Sequence, residues 1–209
     1  LADRSIYDCP PRVLVTPAQP SPHATLTPWQ LFVEKGFAAV SISDIGRAAG
    51  VTKSLIHHHF GSKEDLWGAA KMRMMDEYFA AQHALLESRG GDVDLLRESI
   101  VAYFRFLQQN PHVVRLLAWL DILEDPVMVE AAKQVTELGE MRLRNGQEIG
   151  LLRADVEPRM MITMFLGVVQ SWFRSRAMCQ VINETTADLD ERYLQTILKI
   201  FFEGVLPRH

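Results

Sequence analysis

Cysteine is scarce in this chain. Cys9 and Cys179 are the only two in 209 residues, too few and too far apart for a disulfide framework or a CxxC metal motif. That scarcity points to a reducing cytoplasm. Long apolar runs are missing as well. The longest, Met160 to Val169, spans ten residues and includes Thr163, against roughly 20 needed to cross a bilayer. The start lacks the basic-then-apolar build of a signal peptide. No membrane association is therefore expected. Strong net charge is absent too. A formal charge of −4 argues against a protein that coats nucleic acid nonspecifically, but a site-specific reader depends on its local field instead. Catalytic signatures are also lacking: there is no nucleophile elbow, glycine-rich phosphate loop, HExxH or paired Glu-x-x-His pattern. A helical enzyme using His83 with Asp121 or Glu124 is the reading the sequence supports least. Neither a cofactor nor a metal site is expected.

What the chain has is helix. At 48% hydrophobic it can bury a substantial core. No segment alternates apolar and polar residues as a half-buried strand would, so the expected architecture is all-α. Six of the ten prolines (Pro10, Pro11, Pro17, Pro20, Pro22 and Pro28) fall in the first 28 residues, so residues 1–27 read as an extended or disordered arm. Thr27 and Pro28 then open a first helix, which Gly36 stops. Ser41, with Asp44 three residues on, caps a second helix, and Thr52 caps a third. Ser62 caps a long fourth helix running to about Ser88. Further helices are expected over 92–109, 111–123, 126–149, 157–180 and 187–205.

The segment from Gly36 to Leu66 thus reads as two short helices, a Gly50-Val51 turn and the start of a third helix. That is the layout of a helix-turn-helix. Between Leu31 and Lys71, five cations (Lys35, Arg47, Lys53, Lys63, Lys71) against four anions (Glu34, Asp44, Glu64, Asp65) give +1, leaving −5 for the rest. Leu55, Ile56 and Phe60 are the expected anchors onto Ile45 and Ala49. The candidate DNA contacts are Ser41, Thr52, Lys53, Ser54, Leu55, His57, His58 and Lys63. The polar ones can donate to phosphates, and Ser54 is small enough to admit base edges. The amides following Ser62 form a phosphate site to which Lys63 adds charge. Successive side chains on a helix point about 100° apart, so His57, His58 and His59 cannot converge on one ion. His59 is the one expected to be buried.

These residues carry a resemblance. Leu31-Phe32, Gly36-Phe37, Ser41-Ile42-Ser43-Asp44-Ile45, Ala49-Gly50-Val51-Thr52-Lys53, His58-His59-Phe60 and Ser62-Lys63-Glu64-Asp65-Leu66 together resemble the DNA-binding domain of the tetracycline-repressor (TetR) family of bacterial transcription regulators. The resemblance implies a DNA-binding domain over 28–70 and a helical effector-binding and dimerisation domain over 71–209. It implies a homodimeric repressor that a small hydrophobic effector releases from a palindromic double-stranded operator. A DNA-binding regulator without an effector is the alternative. Three features depart from the family pattern: Pro22 and Pro28 shorten the first helix, His57 stands where a tyrosine is common, and Gly46 stands where an alanine is common.

In the body, methionines and aromatics suit an adaptable apolar pocket. Candidate effector contacts are Met75, Phe79, His83, Tyr103, Phe104, Arg115, Trp119, Met141 and Trp172. The last two long helices carry apolar residues on more than one face, so one face is expected to pack inward and another on a second copy. The candidate dimer residues are Phe165, Val168, Val169, Trp172, Tyr193, Ile197 and Phe201.

Overall fold

The computed structural model describes residues 28–88, 92–123, 126–183 and 188–205. The expected arm over 1–27 lies outside the described residues. All regular structure among the described residues is helical: α1 (Pro28–Lys35), α2 (Ile42–Ala49), α3 (Lys53–Phe60), α4 (Lys63–Glu87), α5 (Asp92–Gln109), α6 (Pro111–Leu123), α7 (Pro126–Glu148), α8 (Pro158–Arg174), α9 (Arg176–Ile182) and α10 (Leu189–Val205). None of them is long and apolar enough to cross a membrane.

Local chemistry sets most of these ends. The Ser41 hydroxyl accepts from Asp44 N at 3.1 Å, and the Asp44 carboxylate accepts from Ser41 N at 3.1 Å, a reciprocal capping box. Ser62 and Asp65 repeat the device at the start of α4, where Asp65 N donates to the Ser62 hydroxyl at 3.0 Å. Thr52 caps α3 by accepting from Leu55 N at 3.2 Å. At the C-terminal end of α2, Gly50 takes a φ of +67°, a conformation that costs glycine nothing and a β-carbon considerably more. Gly46 has a tighter reason for its place. A β-carbon there would lie 2.8 Å from the Val51 carbonyl oxygen, so the missing methyl lets the turn close on α2.

Helix α1 packs on α2, α4 and α6, so the three short helices rest on the body through both α4 and α6. Phe32, Phe37 and Trp67 form the aromatic seam of that junction, with Phe32 and Trp67 centroids 4.9 Å apart. In the body α4 lies on α5 and α7, and α8 lies on α5, α6 and α7. The centre is filled by Ile100, Phe104, Leu107, Val113, Leu116 and Val169, all at most 1% exposed.

One expected helix divides. The stretch predicted as continuous over 157–180 breaks at Ser175 (φ −102°, ψ 12°) into α8 and α9. No glycine or proline marks the break. It coincides instead with a tertiary anchor: the buried Asp190 on α10 accepts from Trp172 Nε1 at 3.0 Å on one side and from Arg176 at 2.7 Å on the other. Gln108 on α5 donates to the same carboxylate at 2.9 Å. A charge so buried must be fully bonded, and meeting that need sets the local backbone.

Candidate nucleic-acid interface and internal cavity

Helix α3 buries one side chain, Ile56 at 5% exposed, against α2, whose Ile42 and Ile45 are buried in turn. Thr52, Lys53, Ser54, Leu55, His57 and His58 are all exposed, as is Ser41 at the head of α2. Two expected anchors are not anchors. Leu55 is 43% and Phe60 40% exposed, because an eight-residue helix crossing its neighbour turns only Ile56 inward. His59 is exposed as well, not buried as expected. Its ring meets that of His58 edge-on, with centroids 5.4 Å apart. Among the described residues no three histidine, cysteine, aspartate or glutamate side chains are grouped to hold a metal.

Several of these polar groups are already engaged. The Ser41 hydroxyl donates to Asp44 at 2.5 Å while accepting the Asp44 amide. The hydrogen bonds from the Ser41 side chain and backbone, with smaller help from Arg47 and Lys35, hold the Asp44 carboxyl below its ordinary range. His57 Nδ1 lies 2.9 Å from the Gly61 carbonyl oxygen, so that nitrogen carries the proton and Nε2 faces outward. The Lys63 ammonium sits 4.2 Å from the Phe37 ring centroid. A cation is thereby held at the first residue of α4, where the amides of the helix also point outward.

Inside the body a cavity of about 280 Å³ opens between α4, α5, α6, α7 and α8. Three of the nine expected effector contacts line it: Met75, Phe79 and Tyr103. The other six lie elsewhere. His83 pairs with Glu87 at 3.1 Å, with both side chains well exposed. Phe104 is fully buried against Phe173, 4.8 Å between centroids. Trp172 stacks on Tyr193 at 3.9 Å. Arg115 and Met141 face solvent. Trp119 is 40% exposed, and its ring lies 3.4 Å from where a Gly36 β-carbon would stand. The Asp121 side chain and Glu124, the acid/base partners expected for His83, lie outside the described residues.

The polar lining was missed in the sequence. Gln82 (2% exposed) and Ser99 (7%) face each other across α4 and α5. The Ser99 hydroxyl donates to Gln82 Oε1 at 2.5 Å, and Gln82 Nε2 donates to the Ser99 carbonyl at 3.2 Å. Across the cavity, Gln170 Nε2 donates to the Tyr103 hydroxyl at 2.8 Å. Burial, reinforced by the nearby Tyr103, pushes the Tyr78 phenol well above its ordinary range, so it stays neutral. A signal was present: Gln82 lies seven residues after Met75 and four before Leu86, a polar residue on an apolar helical stripe.

Five of the seven expected dimer residues (Phe165, Val169, Trp172, Ile197 and Phe201) are buried inside the single chain, and Phe165 lines the cavity. Val168 stays 37% exposed, and Tyr193, half-buried, donates to the Val168 carbonyl at 3.2 Å. The apolar surface left open on these helices is Met160 (54%), Met164 (51%), Val168 and, on α10, Ile200 (66%).

Comparison with known proteins gives two matches. Residues 29–70 match the family described as bacterial regulatory proteins, tetR family, and residues 96–198 match a tetracyclin repressor-like C-terminal domain. The HTH-type transcriptional activator FasR of Mycolicibacterium smegmatis is 28% identical over 52% of this chain and 49% of its own. The HTH-type transcriptional repressor NemR of Escherichia coli is 31% identical over 65% of this chain and 73% of its own. The chain thus spans about half the length of the first of these relatives. Among solved structures, AibR in complex with isovaleryl coenzyme A and operator DNA superposes with a TM-score of 0.67 at 19% identity, covering 85% of this chain and 95% of that one. At that identity the likeness is one of fold.

Proposed function

The chain belongs to the TetR family of bacterial regulatory proteins, and from that premise we propose that it is a sequence-specific DNA-binding transcriptional regulator, a homodimeric repressor released from a palindromic operator by a small-molecule effector. The observation that carries this reading is α3 itself. It is capped at Thr52, fixed by Ile56 alone, and turns Lys53, Ser54, Leu55, His57 and His58 outward together. A helix so built fits the major groove, with Lys53 and the α4 start on phosphates and Ser54, Leu55 and His58 at base edges.

The remaining parts follow in the same reading. Residues 28–70 form the DNA-reading unit and 71–209 the effector and dimerisation unit. Met160, Met164 and Val168, spaced four apart on α8, and Ile200 on α10 meet a second copy of the chain. The two-fold arrangement sets the reading helices about one DNA turn, roughly 34 Å, apart. FasR is an activator and NemR a repressor, so the direction of control here is taken from the family's commoner mode. AibR holds an acyl-coenzyme A and operator DNA, which supports assigning the cavity here to an effector. No catalytic role is assigned.

Effector binding reaches DNA through the elements that touch both the cavity and the reading unit. Leu117 and Leu120 on α6 line the cavity, and Trp119 between them packs at Gly36, the end of α1. Helix α4 carries Met75 and Phe79 to the same cavity and begins at the reading unit. A shift of either changes the distance between reading helices. The test is selection of the purified protein against random duplexes at fixed salt. Enrichment of a palindrome supports the reading; a folded dimer that enriches nothing refutes it.

A further inference from the structure

The lining of the cavity states which ligands it tolerates. Among the described lining residues there is no carboxylate, lysine or histidine, and Arg142 is the one charged side chain. Its guanidinium is turned to structural use: Nε donates to the Leu86 carbonyl at 2.7 Å and a terminal nitrogen donates to the Ser88 carbonyl at 3.0 Å. It thus closes the C-terminal end of α4, where a cation also complements the helix dipole. The remaining polar side chains are neutral: two pairs, Gln82 with Ser99 and Gln170 with Tyr103, with the Tyr78 phenol and Thr136 beside them. Thr136 spends its hydroxyl proton on the Ala132 carbonyl of its own helix.

A cationic ligand head would find no opposite charge among the described lining residues, and an anionic one would meet only Arg142, two of whose nitrogens the Leu86 and Ser88 carbonyls already hold; either loses its water at a cost that grows with burial. A neutral oxygen loses less and finds a donor. An amide carries two N–H groups, and Ser99 takes one of those on Gln82. We propose that the cavity selects a neutral, largely apolar molecule bearing one hydrogen-bonding oxygen, an alcohol or ketone, with that oxygen at the Gln82–Ser99 corner. The volume, about 280 Å³, sits at the small end of ligand pockets and limits the occupant to a compact skeleton or a medium-length chain. This inference rests on the effector role proposed above for the cavity, and it makes both quaternary ammonium and free carboxylate compounds poor ligands.

The test compares three probes of equal chain length on the intact protein by titration calorimetry, without DNA: 1-decanol, decanoate and decyltrimethylammonium. The expected result is that decanol binds at least about tenfold more tightly than either ion. Gln82→Met, checked for an unchanged thermal midpoint, should then weaken decanol about fivefold, the scale of one neutral hydrogen bond. If Gln82→Met lowers the midpoint, Ser99→Ala serves the same comparison. Decanoate binding as tightly as decanol would overturn the proposal and point to Arg142 as an anion reader. Equal binding of the ammonium would overturn it as well, and so would decanol affinity unaltered in both folded variants. Binding of none of the three would remove the proposal together with the effector role beneath it, whereas a preference for an ion would leave that role standing.

Discussion

Leu55 and Phe60 are both apolar and both more than a third exposed on α3, while Ile56 beside Leu55 is almost fully buried. An exposed leucine in the first turn of a reading helix is suited to a thymine methyl. Leu55→Ala should therefore cost about fivefold in affinity on sites carrying the contacted thymine and much less on sites lacking it, as competition binding on operator variants would show. Lys53→Ala should behave differently. It should weaken all duplexes about equally and reduce the salt slope by about one per half-site, and a change in base preference instead would refute a phosphate role. Lys63→Ala is expected to act in the same sequence-independent way, with an added loss of the contact over Phe37. The caps at Ser41, Thr52 and Ser62 were readable in advance because a cap is made by neighbours three residues apart. The exposure of Phe60 and His59 was not, and Leu55 was expected both as an anchor and as a DNA contact. Such exposure depends on the angle at which α3 crosses α2, and local spacing does not encode that angle.

Helix ends show the same division between local and tertiary causes. Proline and glycine marked nearly every boundary, so most expected helices agree with those observed to within one or two residues. The break at Ser175 escaped because its cause, Asp190, lies fifteen residues along the chain on another helix. Asp190→Ala leaves the Trp172 indole, the Gln108 amide and Arg176 without their acceptor. It should lower unfolding free energy by about 2–3 kcal/mol in urea titrations, against well under 1 kcal/mol if the carboxylate and its partners were bathed in water. Trp119 belongs at this scale too. It was expected to contact effector; the structure sets it instead between the cavity-lining helix α6 and Gly36. Trp119→Ala should leave cavity binding intact, while ligand loses much of its influence on operator affinity. An undiminished ligand effect would exclude α6 as a route of coupling.

Across the whole molecule, the all-α architecture and the helix-turn-helix over α2 and α3 were legible, because that segment is compact in sequence and densely patterned. The cavity and the apolar surface left exposed on α8 and α10 were not, because every helix of the body is apolar and burial is decided by how five of them meet. Val168→Glu with Met164→Glu places two charges on the exposed apolar stripe and should give monomers in sedimentation that bind single half-sites weakly. The carboxylates impose a direction on pH dependence. Glu140 is held below its ordinary range by Arg159 and Arg144, Glu191 by Gln195 and Arg105, and Asp44 by Ser41; burial shifts Asp76 the other way. A carboxyl whose folded value is lowered stabilises above its unfolded value and loses that contribution as pH falls through the folded one. The thermal midpoint should therefore fall between about pH 5 and pH 3, and a midpoint that rises on acidification would contradict the assignment. In the proposed mechanism, occupancy of the cavity sets affinity for DNA. The most direct measurement is the dissociation constant for the selected operator at fixed salt, with and without a saturating ligand shown by calorimetry to bind the body. The expected result is weakening by about 5–150-fold, the usual range of allosteric coupling. A cavity demonstrably filled, with operator affinity unchanged, would contradict it.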